Sequence, residues 1–148
     1  METELAENFR LNDQNGLEFQ LYKNLDKRNL LVFYPSDDTI VCTRQLLNYN
    51  DYLPQFELNN IRIVGINTDS IKSHLSFCNK LGLKFRLLSD SDKRVSREYG
   101  ALNLLGTNKR KLILIEKDKR IVYKKTVLST FYLNGEQILK KLKNRRIV

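Results

Sequence analysis

Cys42, Cys78 and His74 are the only cysteines and the only histidine in this chain, so thiol chemistry is the first to test. Cys42 stands in "YPSDDTIVCTRQ", residues 34–45, where an apolar run gives way to a segment with helical spacing. A thiol reacts as its thiolate, and a free cysteine with a pKa near about 8.5 is mostly protonated at neutral pH. The first turn of a helix offers unpaired N–H groups and the positive end of the dipole, and both favour the thiolate. A nearby cation adds to this. Thr39, three residues before Cys42, can turn its hydroxyl toward the same helix end. Arg44 is close in sequence, but side chains two apart on a helix do not share a face. The cation therefore has to come from elsewhere in the fold. At the level of single residues a second reading stays open, in which Cys42 is a small buried hydrophobe.

The second thiol falls in "TDSIKSHLSFCNKLG", residues 68–82. Asp69 or Ser70 is the expected N-cap and Gly82 the expected C′ residue. Ile71, Leu75, Cys78 and Leu81 form one apolar stripe at helical spacing. His74, in the polar neighbourhood "KSH", is expected in a solvated or capping role. His74 and Cys78 lack further metal-ligating partners, so no metal site or bound cofactor is predicted. No C-x-x-C occurs, and in a cytosolic protein a permanent disulfide is not expected, which leaves a transient catalytic one.

The elements that position these residues follow from periodicity and turn chemistry. Phe9–Leu11 and Leu17–Leu21 flank Asn15-Gly16 and predict an N-terminal β-hairpin. "NLLVFY", residues 29–34, is apolar almost throughout, as a strand covered on both faces should be. A helix capped near Thr39 runs to about Leu58, with a kink or break near Leu53 caused by Pro54. "IRIVGIN", residues 61–67, is a second buried strand. After the Cys78 helix come an extended "LKFRLLSD", a short helix ending at Gly100, and two strands joined by the charged turn Glu116–Arg120. A closing amphipathic helix buries Ile138, Leu139 and Leu142. This order predicts an α/β chain with a mixed sheet, a parallel core and helices on both faces, as in a thioredoxin-like fold. The proline that a thioredoxin proper carries before its late hairpin strand is missing, since Pro35 and Pro54 are the only prolines.

The chain has 148 residues, which predicts one domain, 1–148, with one sizeable core. No apolar run approaches the roughly 20 residues that span a bilayer. The N-terminus "METELAENFR" is acidic where a secretory signal is basic, so a cytoplasmic location and no membrane partner are expected. The formal charge is +9, with the densest basic cluster in "KKLKNRRIV". No nucleic-acid motif accompanies it, so no specific nucleic-acid partner is predicted.

"FYPSDDTIVCTRQ" resembles the active-site motif of the peroxiredoxins, Pro-x-x-x-Thr-x-x-Cys, here Pro35, Thr39 and Cys42. The phrasing is closest to the bacterioferritin comigratory protein (PrxQ-type) subfamily of the AhpC/TSA family, and the similarity covers nearly the whole chain. "VGINTDSIKSHLSFCNKLGLKFRLLSDSDKRVSREYGA" is similar to the central segment of that subfamily, and "GTNKRKLILIEKDKRIVY" to its late strand pair. The resemblance places the family's active-site arginine on Arg110. The alternative for Arg110 is a solvated basic turn with Lys109 and Lys111.

The resemblance implies a thiol peroxidase that reduces hydrogen peroxide and small organic hydroperoxides. Cys42 would be the nucleophile that becomes a sulfenic acid. Thr39 and Arg110 would hold the thiolate and polarise the O–O bond, and Pro35 would shield the sulfur. Cys78 would resolve the sulfenic acid as an intramolecular disulfide, recycled by thioredoxin or a similar dithiol reductant. The chain would be a monomer, with a dimer as the other option. Four residues depart from the subfamily pattern: Ile40-Val41 replaces Pro-Gly, Gln45 replaces a frequent glutamate, and Leu47 stands where many members carry the resolving cysteine. Two other hypotheses remain at this level. One is a one-cysteine peroxidase with Cys78 structural. The other is a basic binding module on a thioredoxin-like scaffold that has lost peroxidase activity.

Overall fold

The computed structural model describes residues 3–148. Seven strands form one sheet: β1 (Arg10–Asp13), β2 (Glu18–Gln20), β3 (Arg28–Phe33), β4 (Ile61–Asn67), β5 (Arg86–Ser89), β6 (Arg110–Ile115) and β7 (Ile121–Val127). Among the described residues five α-helices accompany them: α1 (Ile40–Asp51), α2 (Leu53–Leu58), α3 (Ile71–Leu81), α4 (Arg94–Glu98) and α5 (Gly135–Asn144). The strand order is β2-β1-β5-β4-β3-β6-β7. β3, β4 and β5 run parallel, and β1 and β6 join them antiparallel on either side. This is the mixed sheet flanked by helices that the order of elements predicts.

The apolar run of β3 is explained by the two faces it serves. Leu30, Val32 and Tyr34 point into a cluster with Leu46 of α1, Phe56 of α2, Phe77 of α3 and Ile138 of α5. Leu31 and Phe33 point the other way, toward Phe9, Phe19, Val95 and Tyr99. Period-two alternation along a strand sends neighbours to opposite faces, so both must be apolar when both are covered. Cys42 and Cys78 both belong to the first cluster, on the same side of the sheet.

Local chemistry sets the boundaries. Gly16 takes φ +75° in the hairpin turn, where Asp13 Oδ1 accepts from the N–H groups of Asn15 and Leu17. Pro54 sits at the start of α2, so the single kinked helix resolves into two, α1 and α2. Ser70 caps α3 by accepting from the Ser73 N–H, and Gly82 closes it at φ +65°. The stripe on α3 differs from the expected one. Leu75 is 40% exposed, and the buried residues are His74, Phe77 and Cys78. Gly65 allows the close approach that seats Tyr34, since a Cβ there would lie 2.6 Å from Leu87 Cδ2 and 3.3 Å from Tyr34 Cε1.

Candidate active site

β3 delivers Pro35, and the loop that follows ends at Thr39, the N-cap position of α1. Cys42 is therefore in the first turn of α1, where backbone N–H groups lack helical partners. Its side chain is fully buried. β6 lies beside β3 with Phe33 opposite Lys111, and this register brings the first residue of β6 under the start of α1. That residue is Arg110, only 3% exposed. Its Nη1 donates to Cys42 Sγ at 3.3 Å and to Gln45 Oε1 at 2.6 Å. Its Nε and Nη2 both donate to the Ser129 carbonyl, at 3.3 and 2.8 Å.

The guanidinium is thus fixed from three directions, and among the described residues it makes no ion pair with a carboxylate. Its charge is left to the sulfur and to whatever comes to it. Gln45 is itself braced. Its Nε2 donates to Tyr49 Oη at 3.1 Å, and Tyr49 Oη donates to the Leu133 carbonyl at 2.6 Å. Gln45 and Tyr49 are both buried and lie one turn apart on α1. The sequence reading noted Gln45 only as a substitution for glutamate and did not find Tyr49. The signal was available, because Cys42, Gln45 and Tyr49 fall at spacings of three and four.

Thr39 behaves differently from the expectation. Its hydroxyl donates to the Ser36 carbonyl at 3.4 Å and makes no cap bond with α1. A long, exposed contact of this kind is weak and leaves the hydroxyl able to rotate. Pro35 is partly buried at the end of β3. Arg110 is not part of a solvated basic turn, since it and Lys111 begin strand β6 and its side chain is buried.

Cys78 is 6% exposed on α3, and both cysteines carry free thiols. Burial first, then the negative charges of Asp37 and Asp13, push the Cys78 thiol up to about 12. His74 corrects the sequence reading most sharply. It is fully buried, neither solvated nor capping. Its Nδ1 lies 2.7 Å from Asp37 Oδ2 and its Nε2 3.0 Å from the Leu88 carbonyl. A lone histidine in a polar tripeptide gave no sign of this partner, which comes from another segment.

The AhpC/TSA family matches residues 3–124. The protein named peroxiredoxin bcp in Helicobacter pylori strain J99 is 33% identical over 142 residues, covering 93% of this chain and 84% of its own length. The chloroplastic peroxiredoxin Q of Triticum aestivum is 34% identical over 131 residues, 88% of this chain and 58% of its own. Among solved structures, peroxidoxin BcpB of Mycobacterium tuberculosis superimposes with a TM-score of 0.85 at 26% identity, over 99% of this chain and 96% of that one. The PrxQ of Xylella fastidiosa does so with a TM-score of 0.84 at 28% identity, over 99% of each chain. With the family spanning most of its length and relatives a third identical over nearly all of it, the chain belongs to the AhpC/TSA family, as a peroxiredoxin of the bcp and Q kind, and is a thiol-dependent peroxidase.

Proposed function

We propose that Cys42 is the peroxidatic nucleophile, acting on hydrogen peroxide and small organic hydroperoxides. The observation that carries this is the buried, carboxylate-free Arg110 guanidinium 3.3 Å from the Cys42 sulfur at a helix N-terminus. The Cys42 thiolate attacks the terminal peroxide oxygen. An S–O bond forms as the O–O bond breaks, sulfur loses two electrons, and the leaving oxygen takes a proton to become water or an alcohol. Negative charge builds on that oxygen, and a fixed guanidinium donor lowers its energy without having to reorganise. Thr39 turns its hydroxyl from Ser36 to the incoming peroxide, and Pro35 covers the sulfur from the strand side. Stopped-flow mixing with peroxide should show rapid thiol loss, and full turnover in Cys42→Ser would end this reading.

The sulfenic acid on Cys42 is then attacked by Cys78. The S–S bond forms, water leaves, and a thioredoxin-like dithiol reduces the disulfide back to two thiols. Support comes from both thiols being free and lying on one side of the sheet. A disulfide needs Cα atoms within roughly 7 Å, and on this reading the helical turns around both residues open to bring the sulfurs together. The second reading, a one-cysteine enzyme, is favoured by the burial of Cys78 in an apolar cluster. Mass analysis after one equivalent of peroxide separates them: loss of two hydrogens marks the disulfide, gain of one oxygen the sulfenic acid.

A further inference from the structure

Asp37 lies in the loop between β3 and α1, five residues before Cys42, and its side chain is 3% exposed. Four donors converge on its carboxylate. Tyr34 Oη and Asn67 Nδ2 donate to Oδ1 at 2.6 and 3.1 Å. Ser73 Oγ and His74 Nδ1 donate to Oδ2, both at 2.7 Å. A carboxylate that accepts four hydrogens is ionised. The carbonyl of Leu88 can only accept, so His74 Nε2 carries a hydrogen toward it while Nδ1 meets the Asp37 carboxylate. This is a buried hydrogen-bonded pair with every polar atom satisfied, and nothing in the peroxide chemistry uses it.

Its placement is what matters. Ser73 and His74 form the first turn of α3, and His74 and Cys78 are four apart on one helical face. The pair therefore ties the segment entering α1 to the helix that holds Cys78. A second tie runs in parallel, from Lys80 Nζ of α3 to Asp38 Oδ1 at 2.5 Å. Between the buried tie and Cys42, Asp38 adopts φ +60°, a left-handed conformation that is costly for a residue other than glycine. The strained residue is thus anchored by the buried contacts of Asp37 before it and by the exposed Lys80 contact on its own side chain.

We propose that the Asp37–His74 pair is a latch between the two cysteine-bearing segments, and that Asp37 and His74 are positioning residues that set how fast the resolving disulfide forms. The proposal rests on the reading that Cys78 resolves Cys42. While the latch holds, the first turn of α1 and the middle of α3 stay helical, and the sulfenic acid and Cys78 are kept apart. Breaking a buried pair is costly, so the open state is rare in the latched protein. When the latch releases, the strain at Asp38 is relieved and α1 can fray toward Cys42. Cys78 also leaves its apolar site and the negative charge of Asp37, both of which suppress its thiolate. A slow release leaves the sulfenic acid exposed to a second peroxide, which takes it to sulfinic acid.

The test is quenched-flow mass analysis of wild type, His74→Gln and the milder Ser73→Ala after one equivalent of hydrogen peroxide, with excess peroxide in parallel. Ser73→Ala removes one donor to Asp37 and leaves the pair intact, so it folds even if His74→Gln does not. The expected result is disulfide formation faster in Ser73→Ala by a few fold and in His74→Gln by on the order of tenfold or more. The sulfinic fraction at excess peroxide falls in the same order, while the rate of first thiol loss in Ser73→Ala stays near wild type. A disulfide that forms in all three proteins at one rate overturns the latch alone. No disulfide in any of them overturns the resolving role of Cys78, and the latch with it.

Discussion

Arg110 Nη1 lies 3.3 Å from Cys42 Sγ, joining the first residue of β6 to the first turn of α1 across 68 positions of sequence. The same nitrogen is 2.6 Å from Gln45 Oε1, and the other face of the guanidinium grips the Ser129 carbonyl. Arg110→Ala removes a fixed charge from the oxygen that becomes negative, and the rate constant for Cys42 oxidation should fall about 10²–10³-fold. Arg110→Lys should recover little of it, because one ammonium cannot reach the sulfur, Gln45 and Ser129 together. Stopped-flow oxidation by hydrogen peroxide measures both. A rate within threefold of wild type for Arg110→Ala would remove this residue from the chemistry.

Tyr49 supports that arrangement from behind, through Gln45 on one side and Leu133 on the other. Tyr49→Phe leaves a part-buried carbonyl and a buried amide hydrogen without their partner. Urea unfolding should show a loss of about 1–3 kcal/mol. Arg110 keeps its direct contacts with Cys42 and Ser129, so peroxide oxidation should slow far less than in Arg110→Ala. A stability equal to wild type would mean that Gln45 is braced by something else.

The residues that act through their own segment were legible in the sequence. Cys42 at a strand-to-helix junction, the break at Pro54, the caps Ser70 and Gly82, and the double-sided apolar strand at 29–34 each follow from local spacing and turn chemistry. Arg110 was reachable only through resemblance, because the β3–β6 register that brings it to Cys42 leaves no trace in local periodicity. The Asp37–His74 pair was not legible at all. Each partner sits in a polar stretch, "PSDD" or "KSH", that reads as solvated, and only the packing of α3 against the β3–α1 loop buries them together. Leu75 was misplaced for the related reason that burial of His74 turns the inward face of α3 away from it.

Asp37 should also mark the acid limb of the stability curve. Burial raises its carboxyl, but the hydrogen bond and charge of His74, with Tyr34 and Ser73, outweigh this and hold it below the 3.8 of a free aspartate. A carboxyl depressed in the folded state contributes stability that is present above its unfolded value and lost as pH falls through the folded one. Asp37→Asn should therefore be less stable than wild type at pH 7, and the gap should close as pH is lowered past about 4. Urea unfolding at several pH values checks this, and a constant gap would show that Asp37 is not ionised in the folded protein.

Cys78 should govern part of the alkaline limb, with the opposite sign. Its thiol is pushed up to about 12 by burial and then by Asp37 and Asp13. The unfolded thiol ionises near about 8.5, so above that pH the unfolded chain has released a proton that the folded chain still holds. Stability is complete below the unfolded value and falls as pH rises toward the folded one. Cys78→Ala should lack this slope between about pH 9 and 11, whatever packing it loses at neutral pH. The same protonated state has a reactive consequence, because only the thiolate is alkylated. In reduced, folded protein at pH 8, iodoacetamide should leave Cys78 unmodified over times that fully label it in urea, as peptide mapping would show. Rapid labelling of Cys78 in the folded protein would mean that α3 opens without oxidation of Cys42, and that the thiol is held back neither by burial nor by the charge of Asp37.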